Sequence, residues 1–333
     1  MVITKTPLRI SFVGGGTDLP DFYRKDYGAV VSCTIQKYVY IALHRYFFKQ
    51  IVLKYSKTEI VNDVLEIQHP LMRECLLQCD FKDHVEIASF ADIPSAGSGL
   101  GSSSAFCVGL IKALQAYKQK NISPQDCAAR ACEVEICRLD EPIGKQDQYA
   151  SSYGGLNYYR FHSDESVHVE PIVLTQQQRR SLEGKLLLFY TGIQRSASEI
   201  LSEQTRRLRT VPASIEILRE MRSIADRVRG ELCAGNLPVL ADAMHEGWQL
   251  KRQLASGITS RAIDGYYDIA MKNGARGGKL LGAGGGGFLL FYCDEEKHAA
   301  VTDALQELRR VPFSLDSQGS RVLCFEEDET AKS

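Results

Sequence analysis

Residues 93–105 form a run of glycine and serine that reads Ile93-Pro94-Ser95-Ala96-Gly97-Ser98-Gly99-Leu100-Gly101-Ser102-Ser103-Ser104-Ala105. Its alternating glycines let the backbone adopt positive φ and approach a ligand closely. The three serines open a predicted helix over residues 102–118, in which apolar residues recur at helical spacing. The unpaired N–H groups and the dipole of that first turn favour an anion. The run therefore predicts a phosphate-binding loop that leads into a helix.

A flexible linker is the alternative interpretation of this run, since glycine and serine are common in connectors. However, the run joins a predicted strand directly to an apolar-periodic helix, which favours phosphate binding. No Gly-Lys-Ser or Gly-Lys-Thr occurs in the chain, so the loop is not of the Walker A type. The serine hydroxyls can also reach a phosphate-bound Mg²⁺, a hard cation that prefers oxygen ligands. The sequence therefore predicts a phosphate cradle without a lysine.

A second glycine segment covers residues 7–18, where a predicted strand carrying Arg9 ends in three glycines, a hydroxyl and a carboxylate. Thr17 and Asp18 have the hydrogen-bonding groups that suit the hydroxyls of a polyol. A hairpin or an N-cap turn closed by Asp18 would explain the same residues without a ligand. On this segment alone, both interpretations stay open.

The third glycine segment, residues 279–292, contains glycines at positions 282, 284 and 287 that match the dinucleotide-binding fingerprint. That fingerprint requires a helix after the glycines, whereas a strand-like apolar run follows here, so we reject dinucleotide binding. Two interpretations remain. Gly284 and Gly285 contact the substrate, or the segment provides tight glycine packing between two domains.

The composition limits the classes of function. The 333 residues suffice for one large domain or two domains sharing a cleft, and the net charge of −1 argues against a general nucleic-acid-binding face. No apolar stretch is long enough to span a bilayer, and the N-terminus lacks the apolar core of a signal peptide. Cysteines never occur as Cys-x-x-Cys, and no second pair completes a zinc site with Cys75 and Cys79. We therefore expect a cytoplasmic protein with reduced thiols, no membrane partner and no nucleic-acid partner.

The remaining pattern predicts a mixture of strands and helices. Strands are predicted at residues 30–35, 38–43, 85–90 and 185–190, where β-branched and aromatic residues cluster or polar and apolar residues alternate. A helix begins after Ser123-Pro124, and residues 197–248 are predicted as helical with breaks. A shift in composition at residues 175–184 is the candidate domain boundary.

The three glycine segments, in this order, resemble those of the GHMP kinases, and the resemblance spans residues 7–292. It implies an α+β fold of two domains. Residues 1–180 would resemble the ribosomal S5 domain-2 fold, residues 181–333 would be ferredoxin-like, and ATP and substrate would meet in the cleft between them. It also implies nucleotide contacts at Pro94, Gly97, Gly99, Gly101, Ser102, Ser103 and Ser104.

The resemblance also implies a catalytic set. Within Gly144-Lys145-Gln146-Asp147-Gln148, Asp147 matches the family's catalytic aspartate, and Arg9 matches the basic residue that flanks it. Glu135 matches the glutamate that binds Mg²⁺ together with the hydroxyls of Ser103 and Ser104, while Glu133 is the competing candidate. Taken alone, Asp147 would be interpreted as a solvated loop carboxylate and Glu135 as a helix-surface charge.

The first glycine segment bears on the substrate. Galactokinases have Gly-Glu-His-Thr-Asp where this chain has Gly14-Gly15-Gly16-Thr17-Asp18, so Gly15, Gly16, Thr17 and Asp18 are the predicted sugar contacts. The segment is similar to that of kinases acting on D-glycero-D-manno-heptose 7-phosphate and, less closely, to the kinase half of bacterial fucokinases. The resemblance thus implies phosphorylation of the anomeric hydroxyl of that heptose. The alternatives are a fucokinase-like or galactokinase-like enzyme for an unphosphorylated sugar and a ligand-binding regulator without catalysis.

A substrate that already carries a phosphate needs a basic partner for it. Arg195 is the candidate, because Ser196 and Ser198 follow it at a predicted helix start. Arg276 and Lys279 are the alternatives. The sequence leaves the oligomeric state open, a homo-oligomer included.

Overall fold

The structure, a computed structural model, describes residues 1–82, 84–94, 97–194 and 196–326. Its strands are β1 (Val2–Val13), β2 (Gly28–Arg45), β3 (Ile51–Lys54), β4 (Thr58–Val61), β5 (Val85–Ala91), β6 (Leu156–Phe161), β7 (Val167–Pro171), β8 (Leu186–Tyr190), β9 (Ala275–Leu280), β10 (Phe288–Cys293), β11 (Arg309–Arg310) and β12 (Arg321–Phe325). Its helices are α1 (Pro20–Tyr23), α2 (Pro70–Gln78), α3 (Ser102–Tyr117), α4 (Pro124–Cys132), α5 (Gln146–Tyr153), α6 (Gln176–Glu183), α7 (Ala197–Thr210), α8 (Pro212–Cys233), α9 (Val239–Lys251), α10 (Arg261–Lys272) and α11 (His298–Ala304). A π-helical segment, Glu133–Arg138, continues α4, and single 3₁₀ turns lie at Val64–Glu66 and Glu295–Lys297.

The strands form two sheets. The first has the order β12-β1-β2-β5-β3-β4, with β6 pairing to β2 and β7 to β6. The second has the order β11-β8-β10-β9, and each of its pairs is antiparallel. Counted along the chain, the order of this second sheet is 4-1-3-2, which is the order of a ferredoxin-like sheet.

The end of the chain returns to the first sheet. Strand β12 pairs antiparallel with β1, with Val2 opposite Phe325 and Lys5 opposite Arg321. The C-terminal strand is therefore bound to the N-terminal sheet, although it follows the strands of the second sheet in the chain. The division of the chain into residues 1–180 and 181–333 remains a proposal. It assigns β12 to the second domain, although β12 pairs with a strand of the first.

One prediction about the strands is wrong. Residues 30–35 and 38–43 belong to a single long strand, β2, rather than to two strands. The register against β1 shifts at this point, because Pro7 lies opposite Tyr38 whereas Leu8 lies opposite Ile35. The polar pair at 36–37 is accommodated as a bulge, which bends a strand without ending it.

Helices α8 and α9 lie between the sheets. Helix α9 packs along β9 and also contacts β1, and α8 contacts β2. Leu240 and Met244 of α9 belong to the same buried cluster as Leu8 and Ile10 of β1. This packing carries the C-terminal end of α9 to the cleft between the sheets. No helix in the described ranges has the length and apolar character needed to cross a bilayer.

Candidate active site

The phosphate loop leads into α3 as predicted, and the helix begins at Ser102. Gly97, Gly99 and Gly101 have φ angles of 64°, 71° and 76°, a region that side chains with a Cβ rarely adopt. Gly101 is the N-cap residue and no side chain caps the helix, so the first-turn N–H groups are open to an anion. Pro94 is exposed at the start of the loop, and Ser95 and Ala96 lie outside the described residues.

The third glycine segment packs against the phosphate loop, backbone to backbone. A Cβ on Gly99 would lie 2.5 Å from the carbonyl oxygen of Leu281, and one on Gly282 would lie 2.4 Å from Cα of Gly99. A Cβ on Gly287 would lie 2.5 Å from the carbonyl oxygen of Ser98. The glycines at 282 and 287 therefore have a packing role, which agrees with the second of the two interpretations.

Gly284 and Gly285 also pack closely against the backbone of the protein, at Ile258. A Cβ on Gly284 would lie 2.7 Å from Cα of Ile258, and the N–H of Gly285 donates to the carbonyl of Ile258 at 2.9 Å. The Gly285 amide is thus used within the protein. Contact of these two glycines with the substrate stays a prediction.

The predicted catalytic pair is in direct contact. The Arg9 guanidinium donates from Nε and Nη2 to the two carboxylate oxygens of Asp147, each at 2.7 Å, and from Nη1 to the carbonyl of Gly99 at 2.6 Å. Such a bidentate pair fixes the orientation of the carboxylate as well as its charge. Arg9 is buried, whereas the Asp147 side chain remains 22% exposed, toward the cleft that both residues line. Asp147 lies in the first turn of α5, so the interpretation of a solvated loop carboxylate is wrong.

Glu135 lies on the π-helical segment and faces the phosphate loop. Its Oε1 accepts a hydrogen bond from the Ser103 hydroxyl at 2.8 Å, and its Oε2 accepts one from Nε2 of Gln148 at 2.6 Å. Burial raises the pKa of Glu135 to about 7, although hydrogen bonds from Ser103, Ser104 and Gln148 act to lower it. A buried carboxylate without a cationic partner, beside two hydroxyls, is suited to a hard cation.

Glu133, the competing candidate, lies on the exposed side of the same segment. Its carboxylate accepts hydrogen bonds from Arg138 at 2.8 and 3.0 Å and from Nε2 of Gln78 at 2.9 Å. Among the described residues, no group of three or more His, Cys, Asp or Glu side chains is arranged to hold a metal ion. Any metal here would therefore take most of its ligands from phosphate and water, as Mg²⁺ commonly does.

The residues of the first glycine segment have different surroundings. The Thr17 hydroxyl is buried and bonds within the loop, with the carbonyls of Gly14 at 2.8 Å and Ala29 at 2.9 Å and with the N–H of Ala29 at 2.9 Å. Its hydrogen-bonding capacity is thus used by the turn. Gly15 is buried, and Gly16 lines the cleft.

Asp18 lines the cleft beside Asp147. It accepts hydrogen bonds from the N–H of Gly16 at 2.9 Å and from the N–H and Nε2 of Gln146 at 3.2 and 3.1 Å. Burial, and next the charge of Asp147, raise the pKa of Asp18. Gly144 permits this approach of α5, because a Cβ there would lie 1.9 Å from a carboxylate oxygen of Asp18.

Sequence reasoning missed Gln204 of α7. Its side chain is buried in the wall of the cleft, and its Nε2 has no hydrogen-bond partner among the residues that the structure describes. Within the same residues, Oε1 of Gln146, which also lines the cleft, has none either. A Cβ on Gly16 would lie 2.7 Å from Nε2 of Gln204. The space beside Gly16 is therefore filled by the side chain of Gln204. In the sequence, the only signal for Gln204 was a glutamine within a segment that is predicted to be helical.

Sequence reasoning also missed Lys251, at the end of α9. It is buried, lines the cleft, and donates from Nζ to the carbonyl of Gly282. Lys279 of β9, one of the alternatives for the substrate phosphate, is buried close by, whereas Arg276 is 42% exposed beside Asp294. Arg195 lies outside the described residues.

An apolar pocket lies beside the phosphate loop, with Ser102 and Ser103 at its edge. The rings of His69 and Phe106 stack at 5.7 Å between centroids. Burial lowers the pKa of His69, which favours the neutral ring. The wall of the pocket is completed by Val39, Tyr55, Ser56, Leu71, Ser89, Phe90 and Ala91.

Comparison with known families places this fold and site in one class. Residues 59–155 match the GHMP kinases N terminal domain, and residues 228–310 match the GHMP kinases C terminal domain. The chain belongs to the GHMP kinase family. It has the family's two-domain fold, as predicted, and is a phosphotransferase of the sugar-kinase type.

Individual relatives cover nearly the whole chain. A D-glycero-alpha-D-manno-heptose 7-phosphate kinase of Campylobacter jejuni is 29% identical over 316 residues, covering 91% of this chain and 93% of the relative. A galactokinase of Pyrococcus furiosus is 25% identical over 354 residues, covering 94% and 95%. The solved structure of a D-glycero-D-manno-heptose 1-phosphate kinase from Bacteroides thetaiotaomicron has a TM-score of 0.82 at 23% identity, covering 98% of this chain and 100% of that one. The galactokinase of Lactococcus lactis, solved with galactose, has a TM-score of 0.76 at 16% identity, covering 96% and 94%. At these identities the two structures show the fold.

Proposed function

We propose that this protein transfers the γ-phosphate of ATP to the anomeric hydroxyl of D-glycero-D-manno-heptose 7-phosphate. The observation that carries the proposal is the position of Asp147. Its carboxylate is held by Arg9 in a cleft that also contains Asp18, and Arg9 is bonded to the phosphate loop at Gly99. A proton acceptor for the sugar hydroxyl, a sugar-facing carboxylate and a phosphate cradle therefore meet at one point.

Asp147 accepts the proton of the substrate hydroxyl as the new bond forms between that oxygen and the γ-phosphorus. The bond between the γ-phosphorus and the oxygen that bridges it to the β-phosphate breaks, and ADP leaves. Arg9 keeps both carboxylate oxygens in place, so no reorganisation is needed at the moment of transfer. Phosphoryl transfer through a loose transition state depends mainly on positioning and on neutralisation of charge. A carboxylate that is firmly oriented, rather than strongly basic, meets this requirement.

The nucleotide end of the site is built from α3. The open N–H groups of its first turn and the helix dipole hold the phosphates, and the apolar pocket around His69 and Phe106 takes the base. Glu135 and Ser103 fit a Mg²⁺ ion, which would neutralise developing charge on the phosphates when bound. Ser104 supports Glu135 by a hydrogen bond to its carboxylate.

The sugar end of the site offers the acceptors and donors that a polyol needs. The carboxylate of Asp18 lines the cleft, together with Oε1 of Gln146 and Nε2 of Gln204, two atoms that have no hydrogen-bond partner within the described ranges of the chain. Buried polar atoms without partners are rare in folded proteins, and bound hydroxyl groups would complete their hydrogen bonds.

The choice of heptose rests on the Campylobacter jejuni relative and is tested by a substrate panel. Purified enzyme with ATP and Mg²⁺ is assayed for ADP release on D-glycero-D-manno-heptose 7-phosphate, the free heptose, fucose, galactose and mannose. We expect the highest kcat/KM on the phosphorylated heptose, with the product carrying phosphate at the anomeric carbon by ³¹P and ¹³C NMR. A preference for free fucose or galactose would refute the heptose proposal and favour the fucokinase-like or galactokinase-like alternative. No turnover on any sugar would favour the non-catalytic regulator.

A further inference from the structure

Two buried lysines of the C-terminal half lie close to one another, and one of them, Lys251, lines the cleft. Lys251 and Lys279 are each only 5% exposed. In the described part of the chain, the Lys251 ammonium has one hydrogen bond, to the carbonyl of Gly282. The Lys279 ammonium has no hydrogen bond and no ion pair within the same residues. A buried ammonium without a counterion is costly, so the pair requires an explanation.

The side chain of Lys279 points toward α9 and the cleft. Side chains two apart on a strand share a face, and a Cβ on Gly277 would lie 1.8 Å from the carbonyl oxygen of Ala241 in α9. Leu290, which is opposite Lys279 on β10, belongs to the buried cluster that also contains residues of β1 and α9. Lys279 therefore extends beneath the end of α9, where Lys251 is located.

The negative groups nearby are already engaged. Both carboxylate oxygens of Asp147 are paired with Arg9, and Asp18 accepts three hydrogen bonds from Gly16 and Gln146. Within this cluster, three cations face two carboxylates. The pKa values of both lysines are lowered, first by burial, and for Lys279 next by the charge of Lys251. The protonated form of these two lysines therefore lacks a counter-charge on the C-terminal side of the cleft, and a bound anion would supply it.

We propose that Lys251 and Lys279 form a subsite for a phosphoryl group on the C-terminal wall of the cleft. A phosphoryl dianion supplies both the charge and the acceptor oxygens that the two ammonium groups lack. The group comes either from the nucleotide, as the phosphoryl group in transfer, or from the sugar, as its own phosphate. The proposal rests on the proposed function for these two sources, but anion binding can be measured without knowing the sugar.

The direct test uses inorganic phosphate as the probe. Phosphate is titrated into enzyme saturated with ADP, which occupies the phosphate loop, and binding is followed by calorimetry at constant ionic strength. Lys251→Met and Lys279→Met should each weaken phosphate binding roughly tenfold to a hundredfold, the range for a lost hydrogen bond to a charged group. Lys185→Met is the matched control, because Lys185 precedes β8 of the same sheet and is paired with Asp294 at 3.2 Å. Unchanged affinity in both cleft variants would overturn the proposal, whichever sugar the enzyme uses.

Thermal unfolding of the ligand-free variants tests whether the two lysines have a purely structural role. Because Lys279 has no partner, Lys279→Met should unfold at the same temperature as the parent or higher. A lower unfolding temperature would show that the ammonium holds the fold together and would refute the subsite. Lys279→Arg, which keeps the charge, should retain phosphate binding better than Lys279→Met.

Kinetics then distinguish the two sources. If the subsite holds the sugar's own phosphate, Lys251→Met raises KM roughly tenfold to a hundredfold for the phosphorylated sugar and leaves the unphosphorylated sugar unchanged. If it holds the group in transfer, kcat falls on both sugars while KM changes little. Arg195→Ala is assayed in parallel. If it alone shows the selective rise in KM and both lysine variants behave as the parent, the phosphate is held by Arg195 and the lysine subsite is refuted.

Discussion

The two walls of the cleft are built in different ways. The nucleotide end of the N-terminal wall consists of consecutive residues, 97–104, and presents backbone N–H groups at the start of α3. The C-terminal wall includes Gln204 of α7 and Lys251 of α9, with Lys279 of β9 buried behind them, and it acts through side chains. A site made from main-chain amides needs a particular local sequence, so a short motif identifies it. A site made from single side chains on separate elements leaves no motif, because only their packing brings them together.

Asp147, the proposed catalytic carboxylate, lies on the N-terminal wall and gives the largest expected effect. Asp147→Asn removes the proton acceptor but keeps a group that can bond to Arg9, so kcat should fall roughly 10²- to 10⁴-fold. Nucleotide affinity should stay within a few-fold, because the loss falls on the transition state. Single-turnover kinetics and calorimetry measure the two quantities.

Asp164→Asn is the control for that change. Asp164 is an exposed carboxylate in the turn between β6 and β7 and bonds only locally, to Ser166 at 2.6 and 3.0 Å. It should leave kcat unchanged. If Asp147→Asn were equally active, the base would have to be sought elsewhere in the cleft, with Asp18 as the next carboxylate to test.

Glu135 should have a smaller effect, on the Mg²⁺ concentration needed for half-maximal rate, and this effect should depend on pH. With a pKa of about 7, the carboxyl is protonated at lower pH and must lose that proton to bind Mg²⁺. The Mg²⁺ concentration for half-maximal rate should therefore rise as pH falls below about 7, by roughly tenfold per unit, and level off above it. Glu135→Gln should raise this concentration at high pH and flatten the dependence.

Glu133→Gln is the matched control for the metal titration, since Glu133 lies two residues away and bonds to Arg138. Its titration curves should overlay those of the parent at every pH. Ser103→Ala should shift the curves in the same direction as Glu135→Gln, because Ser103 bonds to the same carboxylate. If the curves of Glu135→Gln and Ser103→Ala also overlaid those of the parent, the metal would be bound by other residues.

The smallest expected effect concerns the contact between Gly16 on the N-terminal wall and Gln204 on the C-terminal wall. Gly16→Ala places a Cβ 2.7 Å from Nε2 of Gln204 at a φ of +103°, and the free energy of unfolding should fall by about 1–3 kcal/mol. Adding Gln204→Ala should recover the part due to the contact, which gives a coupling energy of at least about 0.5 kcal/mol in a double-mutant cycle. Gly192→Ala measures the backbone part alone, since Gly192 has a φ of +71° and no atom within 4 Å of the added Cβ. Additive effects of the two changes would show that Gln204 does not occupy the space beside Gly16.

Local signals predicted much of the fold. Helix α3 ends one residue before the prediction, and Ser123 caps α4 by accepting a hydrogen bond from the N–H of Asp126 at 3.0 Å. The strand that we predicted after the glycines of the third segment is present as β10, which agrees with the rejection of a dinucleotide site. In contrast, the single strand β2 and the return of β12 to β1 depend on pairing with distant segments, which periodicity within one segment does not encode.

By itself the sequence predicted the phosphate loop and gave the order of the three glycine segments, because each segment is a local pattern. The resemblance to the GHMP kinases that this order carries then implied the candidates Arg9, Asp147 and Glu135. Only the tertiary structure decided that Thr17 bonds within its own turn, that Glu135 is buried while Glu133 is exposed, and that Gln204 fills the space beside Gly16. It also decided that Lys251 and Lys279 share one buried region of the cleft. The physical reason is that burial, hydrogen-bond saturation and charge balance are properties of neighbours in space. A lysine on a helix has the same local sequence signal whether its ammonium reaches water or an unpaired position inside an active site.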